Sequence, residues 1–177
     1  MADTIKMGVE HLNNDLSLKS LFYDTKDDVD IDIVKSKYFV SNELVNPLKT
    51  GTYFISLNCC SLLSKFDDIK MFISHFSQNL PVAIFLQEIH KFPDFFDPCI
   101  DGFNFFHKKR LENKGGGVGI FVRNDFSVKQ FDTPFVENEF ESIGLRISKN
   151  NWSHIACSFY RPPQANFASS IDRFANL

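Results

Sequence analysis

The sequence carries no excess of one charge: 19 Lys+Arg against 22 Asp+Glu leave a net −3 over 177 residues. A chain this close to neutral is a poor candidate for strong non-specific binding to a polyanion. No stretch of about 18 uncharged apolar residues exists, which excludes a membrane-spanning helix. The opening MADTIKMGVEHLNND has neither an apolar core nor a cleavage-like site, so secretion has no support. The four cysteines, Cys59, Cys60, Cys99 and Cys157, contain no C-x-x-C pair. Their spacing therefore points to neither a zinc site nor a disulfide framework, and reduced thiols in a nuclear or cytoplasmic protein are expected. Internal repeats and low-complexity tracts are also missing.

What remains is an ordinary globular composition, 44% hydrophobic and 23% charged, with 21 phenylalanines. Many sit beside β-branched neighbours, as in FNFFHK and GIFVRNDF, and such residues fit a pleated, half-buried surface. Residues 1–50 hold nine acids and six bases, whereas residues 51–177 hold thirteen of each. We read 1–50 as a weakly ordered acidic leader with one short helix, and 51–177 as the folded portion. Pro47 and Gly51 punctuate the junction.

Beyond it, Tyr53–Leu57 is a short strand ending at Asn58. Leu62, Phe66, Ile69, Ile73 and Phe76 follow at helical spacing, with Ser61 or Ser64 as cap and Asp67 and Asp68 near the positive end. Pro81–Leu86 is a continuous apolar run, the pattern of a strand buried on both faces. Strand, helix and strand make a βαβ unit. The later strands, Phe103–His107, Gly117–Val122, Phe126–Phe131, Phe140–Ile147 and Trp152–Phe159, are separated only by turn signals and predict antiparallel hairpins. A last helix is expected from Asn166, with Phe167, Ile171 and Phe174 on one face.

Polar residues abruptly end two of the apolar strands. Asn58 closes the first and Gln87-Glu88 the second, and parallel neighbours of a βαβ unit end on the same side. Asn58 and Glu88 are thus expected in one crevice, where α/β sheets take their ligands. One carboxylate beside a neutral amide suits Mg²⁺, though position alone also fits a strand end that contacts a nearby cation.

Lys114-Gly115-Gly116-Gly117-Val118-Gly119 resembles a phosphate loop only superficially. No Gly-Lys-Ser/Thr ends it, Ile120 stands where a dinucleotide fingerprint needs Gly or Ala, and no helix follows. Close backbone packing or a bulge is the better expectation. Around it Lys108, Lys109, Arg110, Lys114 and Arg123 are opposed only by Glu112, which reads as a solvated turn or a phosphate-backbone contact. Ser158-Phe159-Tyr160-Arg161-Pro162-Pro163 ends a strand with a hydroxyl and a guanidinium, groups that can orient or clamp phosphate. Glu141 reads as solvent-facing, His75 as a surface residue, and His90 as a histidine within reach of the crevice.

The ordered set Leu57-Asn58, amphipathic helix, Leu86-Gln87-Glu88, Gly-Gly-Gly-Val-Gly-Ile-Phe-Val, Glu141-Ser142-Ile143 and Tyr160-Arg161-Pro162-Pro163 resembles the endonuclease/exonuclease/phosphatase superfamily. Within it, the match is to the apurinic-like endonuclease domain of non-LTR (LINE-type) retrotransposons. The resemblance implies a four-layer α/β sandwich of mixed, mostly antiparallel sheets with flanking helices. It assigns Mg²⁺ or Mn²⁺ to Glu88 and Asn58, and places Tyr160 near the scissile phosphate. The implied reaction is a DNA nick by phosphodiester hydrolysis. DNA as partner makes Lys108, Lys109, Arg110, Lys114 and Arg161 the candidate nucleic-acid contacts.

The sequence departs from that family in three ways. It stops at Leu177 before the family's Gly-Asp-x-Asn and Ser-Asp-His motifs, Cys60 replaces a polar residue two positions after the Asn, and Ile89 follows Gln-Glu where Thr is usual. A fold truncated before its second sheet is complete is therefore expected, inactive alone and prone to self-association through an uncovered sheet face. The alternative is a non-catalytic nucleic-acid or protein binding module.

Overall fold

The computed structural model describes residues 52–76, 79–111 and 114–166, together with the backbones of 6–7 and 22–23. Strands β1 (Lys6–Met7) and β2 (Phe22–Tyr23) pair antiparallel. The leader's short helix, the Glu112-Asn113 turn and the helix expected after Asn166 lie outside the described residues.

Strand β3 (Phe54–Asn58) runs into helix α1 (Leu62–Ser74), which returns to β4 (Ala83–Gln87) parallel to β3. Leu62, Phe66, Ile69, Ile73 and Phe76 are all buried, so the apolar stripe is the helix's inner face. Ser61 caps it, its side chain accepting from the Ser64 amide. Asp67 and Asp68 sit past the first turn and instead pair along the surface with Lys70 and Lys65, contacts worth little in water.

Strands β5 (Phe103–Lys108) and β6 (Val118–Arg123) form the expected hairpin, giving a first sheet ordered β3-β4-β6-β5. Strand β6 thus has neighbours on both sides, and the expected β6–β7 hairpin has no free edge to form on. The chain crosses at Asn124-Asp125 into a second sheet. There β7 (Ser127–Phe131), the two-residue β8 (Phe135–Val136) and β10 (Trp152–Tyr160) all pair with the long β9 (Phe140–Lys149).

Alternation divides the apolar residues into two cores. On one face of β4 and β6, Ile84, Leu86 and Phe121 pack under α1. On the other, Ala83, Phe85, Val118, Ile120 and Val122 meet Ile143, Leu145, Ile147 and Ala156 of the second sheet. The α/β class holds, with the described layers in the order helix, sheet, sheet. The bare inner face expected from the sequence is not there, because β7–β10 cover it. The ground for self-association through that face goes with it.

Candidate functional site

The parallel register sets Asn58 opposite Gln87, which brings Glu88 to the same sheet end. Asn58 Nδ2 donates to Glu88 Oε1 at 2.7 Å, while Asn58 Oδ1 accepts from the Cys60 amide at 3.2 Å. Only this orientation of the amide satisfies both partners. It turns the Asn58 oxygen away from Glu88 and makes Asn58 the residue that orients the carboxylate.

From the second sheet, Tyr160 lies opposite Glu141 and comes near enough to Glu88 to help keep its carboxylate ionised. Its approach is fixed by Ser158, which donates to the Leu86 carbonyl at 3.1 Å and accepts from Gln87 Nε2 at 3.3 Å. Gln87 therefore ties the two sheets together at the edge of the site. His90 Nε2 stands 3.6 Å from Glu88 Oε2. Hydrogen bonds from His90, Asn58 and Tyr160 outweigh partial burial and hold the Glu88 carboxyl down at about 2. Burial, reinforced by the same carboxylate, pushes the Tyr160 hydroxyl up to about 12, so Tyr160 is a donor at neutral pH.

The segment carrying these groups is anchored from both sides. Ser61 and Leu62 amides, orphan donors at the start of α1, bond the carbonyls of Glu88 and Ile89 at 2.8 and 2.9 Å. The Ile89 and His90 amides bond the carbonyls of Gly117 and Gly116 at 3.3 and 2.8 Å. Glu88 and His90 adopt left-handed backbone, φ 54° and 58°, a conformation that surrounding structure must impose on non-glycine residues.

The glycine run supplies that surrounding structure. A Cβ on Gly117 would lie 2.9 Å from Ile89 Cγ1, and one on Gly116 would lie 2.2 Å from Arg110 Nε. Arg110 is buried, with Nε 2.6 Å and Nη2 2.5 Å from Glu141 Oε1. Glu141 Oε2 accepts the Gly117 amide at 2.5 Å, and Arg110 also donates to Asn138 Oδ1 at 2.9 Å. Two sequence expectations are corrected here. Glu141 is fully buried and not solvent-facing, and Arg110 is a buried structural cation and not a surface contact for nucleic acid.

The other basic candidates vary in availability. Lys108 Nζ bonds the carbonyl and hydroxyl of Thr133, both at 3.1 Å, and burial lowers its affinity for a proton. Lys109 pairs with the exposed Asp94 at 2.6 Å, a contact water competes with. Lys114 is exposed, and Arg161 is half-buried and donates to the Pro162 and Ala165 carbonyls.

One ionised carboxylate, held by a neutral amide and a phenol with an imidazole beside its other oxygen, fits a hard dication that keeps most of its waters. Glu88 could hold Mg²⁺ or Mn²⁺. Asn58 and Tyr160 would fix the carboxylate, and the ion would supply charge stabilisation at a phosphate.

No known family's sequence profile matches the chain, and no curated protein sequence matches it. Among solved structures, the endonuclease domain of TRAS1, a telomere-specific non-LTR retrotransposon, is similar to it at 16% identity with a TM-score of 0.48. That alignment covers 71% of this chain and 54% of the TRAS1 chain, so this chain spans about half of that domain's length.

Proposed function

We propose that the chain holds a divalent cation, Mg²⁺ or Mn²⁺, at Glu88 and presents it to a DNA phosphate, as part of a phosphodiester-hydrolysing endonuclease site. The observation that carries this reading is the convergence of Asn58, Tyr160 and His90 on one carboxylate. It stands at the C-terminal end of a parallel strand pair and stays ionised to about pH 2. A carboxylate merely ending a strand needs no such set of donors drawn from both sheets. Tyr160, a donor at neutral pH, would serve a phosphate oxygen as well as Glu88. Lys109 and Lys114 stand on the same β5–β6 connection and would meet the DNA backbone.

Hydrolysis also needs a group to take the water's proton. No aspartate is among the groups that set the Glu88 pKa, and DNA capture is expected to exceed DNA cleavage. The test is anisotropy of a labelled duplex with Mg²⁺ and with EDTA, run beside plasmid nicking, for the wild type and Glu88→Ala. Mg²⁺-dependent capture lost in Glu88→Ala, with nicking no higher than in that variant, is the expected result. Capture indifferent to both EDTA and Glu88→Ala would instead favour a non-catalytic module held to the backbone by its lysines, with binding that falls steeply with salt.

A further inference from the structure

Beside Glu88 stand Cys60, which the proposed function does not use, and His90, which it uses only to hold the carboxylate. Cys60 Sγ, a Glu88 carboxylate oxygen and a His90 ring nitrogen all lie within 4.8 Å of one another. All three residues have left-handed backbone, φ 45°, 54° and 58°. This turns the chain sharply on either side of the crevice and converges side chains from two separate loops. The loops are held at that spacing by the Ser61 and Leu62 amides on the Glu88 and Ile89 carbonyls. Cys60 is exposed and the other two are half-buried, so the group faces solvent and is open to an incoming ion.

We propose that Cys60, Glu88 and His90 form a three-ligand Zn²⁺ site with its fourth position open. Sulfur, imidazole nitrogen and carboxylate oxygen are the three donor types zinc takes, whereas Mg²⁺ takes oxygen. A tetrahedral zinc ion spaces such ligand atoms roughly 3.3–3.6 Å apart. The His90–Glu88 separation of 3.6 Å already meets that, and the exposed Cys60 side chain is the one that has to close in. The fourth position would face the same space as the proposed Mg²⁺, so Zn²⁺ and Mg²⁺ compete for Glu88. The spacing of the cysteines gave no sign of this site, because only Cys60 takes part and its partners lie about 30 residues away.

The inference shares Glu88 with the proposed function but does not depend on hydrolysis or on DNA. Zn²⁺ competition against a chromophoric chelator, using the full chain, gives affinity and stoichiometry. Co²⁺ substitution then reports sulfur ligation through its thiolate charge-transfer band. One Zn²⁺ per chain is expected. Cys60→Ser and His90→Ala should each weaken it by more than the roughly 10–100-fold that loss of a mere supporting partner costs a metal site. Cys60→Ser should also abolish the cobalt–thiolate band, while Cys99→Ser, at another exposed thiol, should change neither. Absence of stoichiometric Zn²⁺, or Zn²⁺ binding untouched by Cys60→Ser and His90→Ala in variants with native circular dichroism, overturns the site. A Zn²⁺ site without Mg²⁺-dependent DNA capture would overturn only the proposed function, and capture without a Zn²⁺ site only this inference.

Discussion

Replacing Arg110 with methionine removes the guanidinium and leaves the Glu141 carboxylate, 0% exposed, without a counter-charge. Removing one partner of a buried ion pair destabilises by about 3–5 kcal/mol. The carboxylate keeps the amides of Gly117 and Asn138, so the low end of that range, about 3 kcal/mol, is expected. Glu141→Leu should be worse. It strands the Arg110 charge and also takes the acceptor from both amides, each worth about 1–3 kcal/mol when left unpaired in the interior. The double variant removes both charges and retains only the orphaned amides. Its destabilisation should therefore fall short of the sum of the singles by about 2 kcal/mol or more. Urea unfolding followed by fluorescence of Trp152, the only tryptophan, reads all four corners of the cycle. Trp152 packs against Phe54 and Phe126, in contact with both sheets. If Arg110→Met costs less than about 1 kcal/mol, or the cycle is additive, the pair is solvated and the account of the glycine run fails.

Two further outcomes follow from the same geometry. Gly116→Ala places a methyl 2.2 Å from Arg110 Nε at φ 61°, so beyond the roughly 1–2 kcal/mol of left-handed backbone it must displace the guanidinium. A melting temperature within a degree of wild type would contradict that packing. Glu88, whose folded carboxyl sits near 2 against an ordinary 4.5, contributes stability that is present above pH 4.5 and lost as pH falls through about 2. Carbon-13 NMR of the side chain should give a midpoint near the lower value, moved upward in Tyr160→Phe. A midpoint near 4.5 in the wild type would mean that the donors do not converge.

Much of this arrangement was readable in the sequence because single residues broke strong patterns. Asn58 and Gln87-Glu88 stop apolar runs at one end of a βαβ unit, and β-strand geometry leaves those ends together. The stripe from Leu62 to Phe76 likewise admits only one buried face. A lone charge in a strand reads as solvent-facing, but Glu141 shares a period-2 face with Ile143, Leu145 and Ile147, all buried, which sets it inward. Its partner Arg110 lies 31 residues earlier inside a basic cluster, and nothing local separates a buried arginine from the solvated lysines around it. Turn signals do not say which sheet a strand joins, so the sequence alone does not show β7, β9 and β10 as a second sheet. That follows only once β6 is known to have both edges occupied. The left-handed backbone at Cys60, Glu88 and His90 had no local cue either, since it is imposed by hydrogen bonds from α1 and the glycine run.

As a cation site, Glu88 should bind Mn²⁺ in place of Mg²⁺. Paramagnetic Mn²⁺ added in substoichiometric amounts to ¹⁵N-labelled protein tests it most directly. The amides of Asn58, Gln87, Glu88, His90 and Tyr160 should broaden first, and this should vanish in Glu88→Gln while the rest of the spectrum is unchanged. Broadening centred on other carboxylates such as Asp125, or persisting around residues 58–90 in Glu88→Gln, would contradict it.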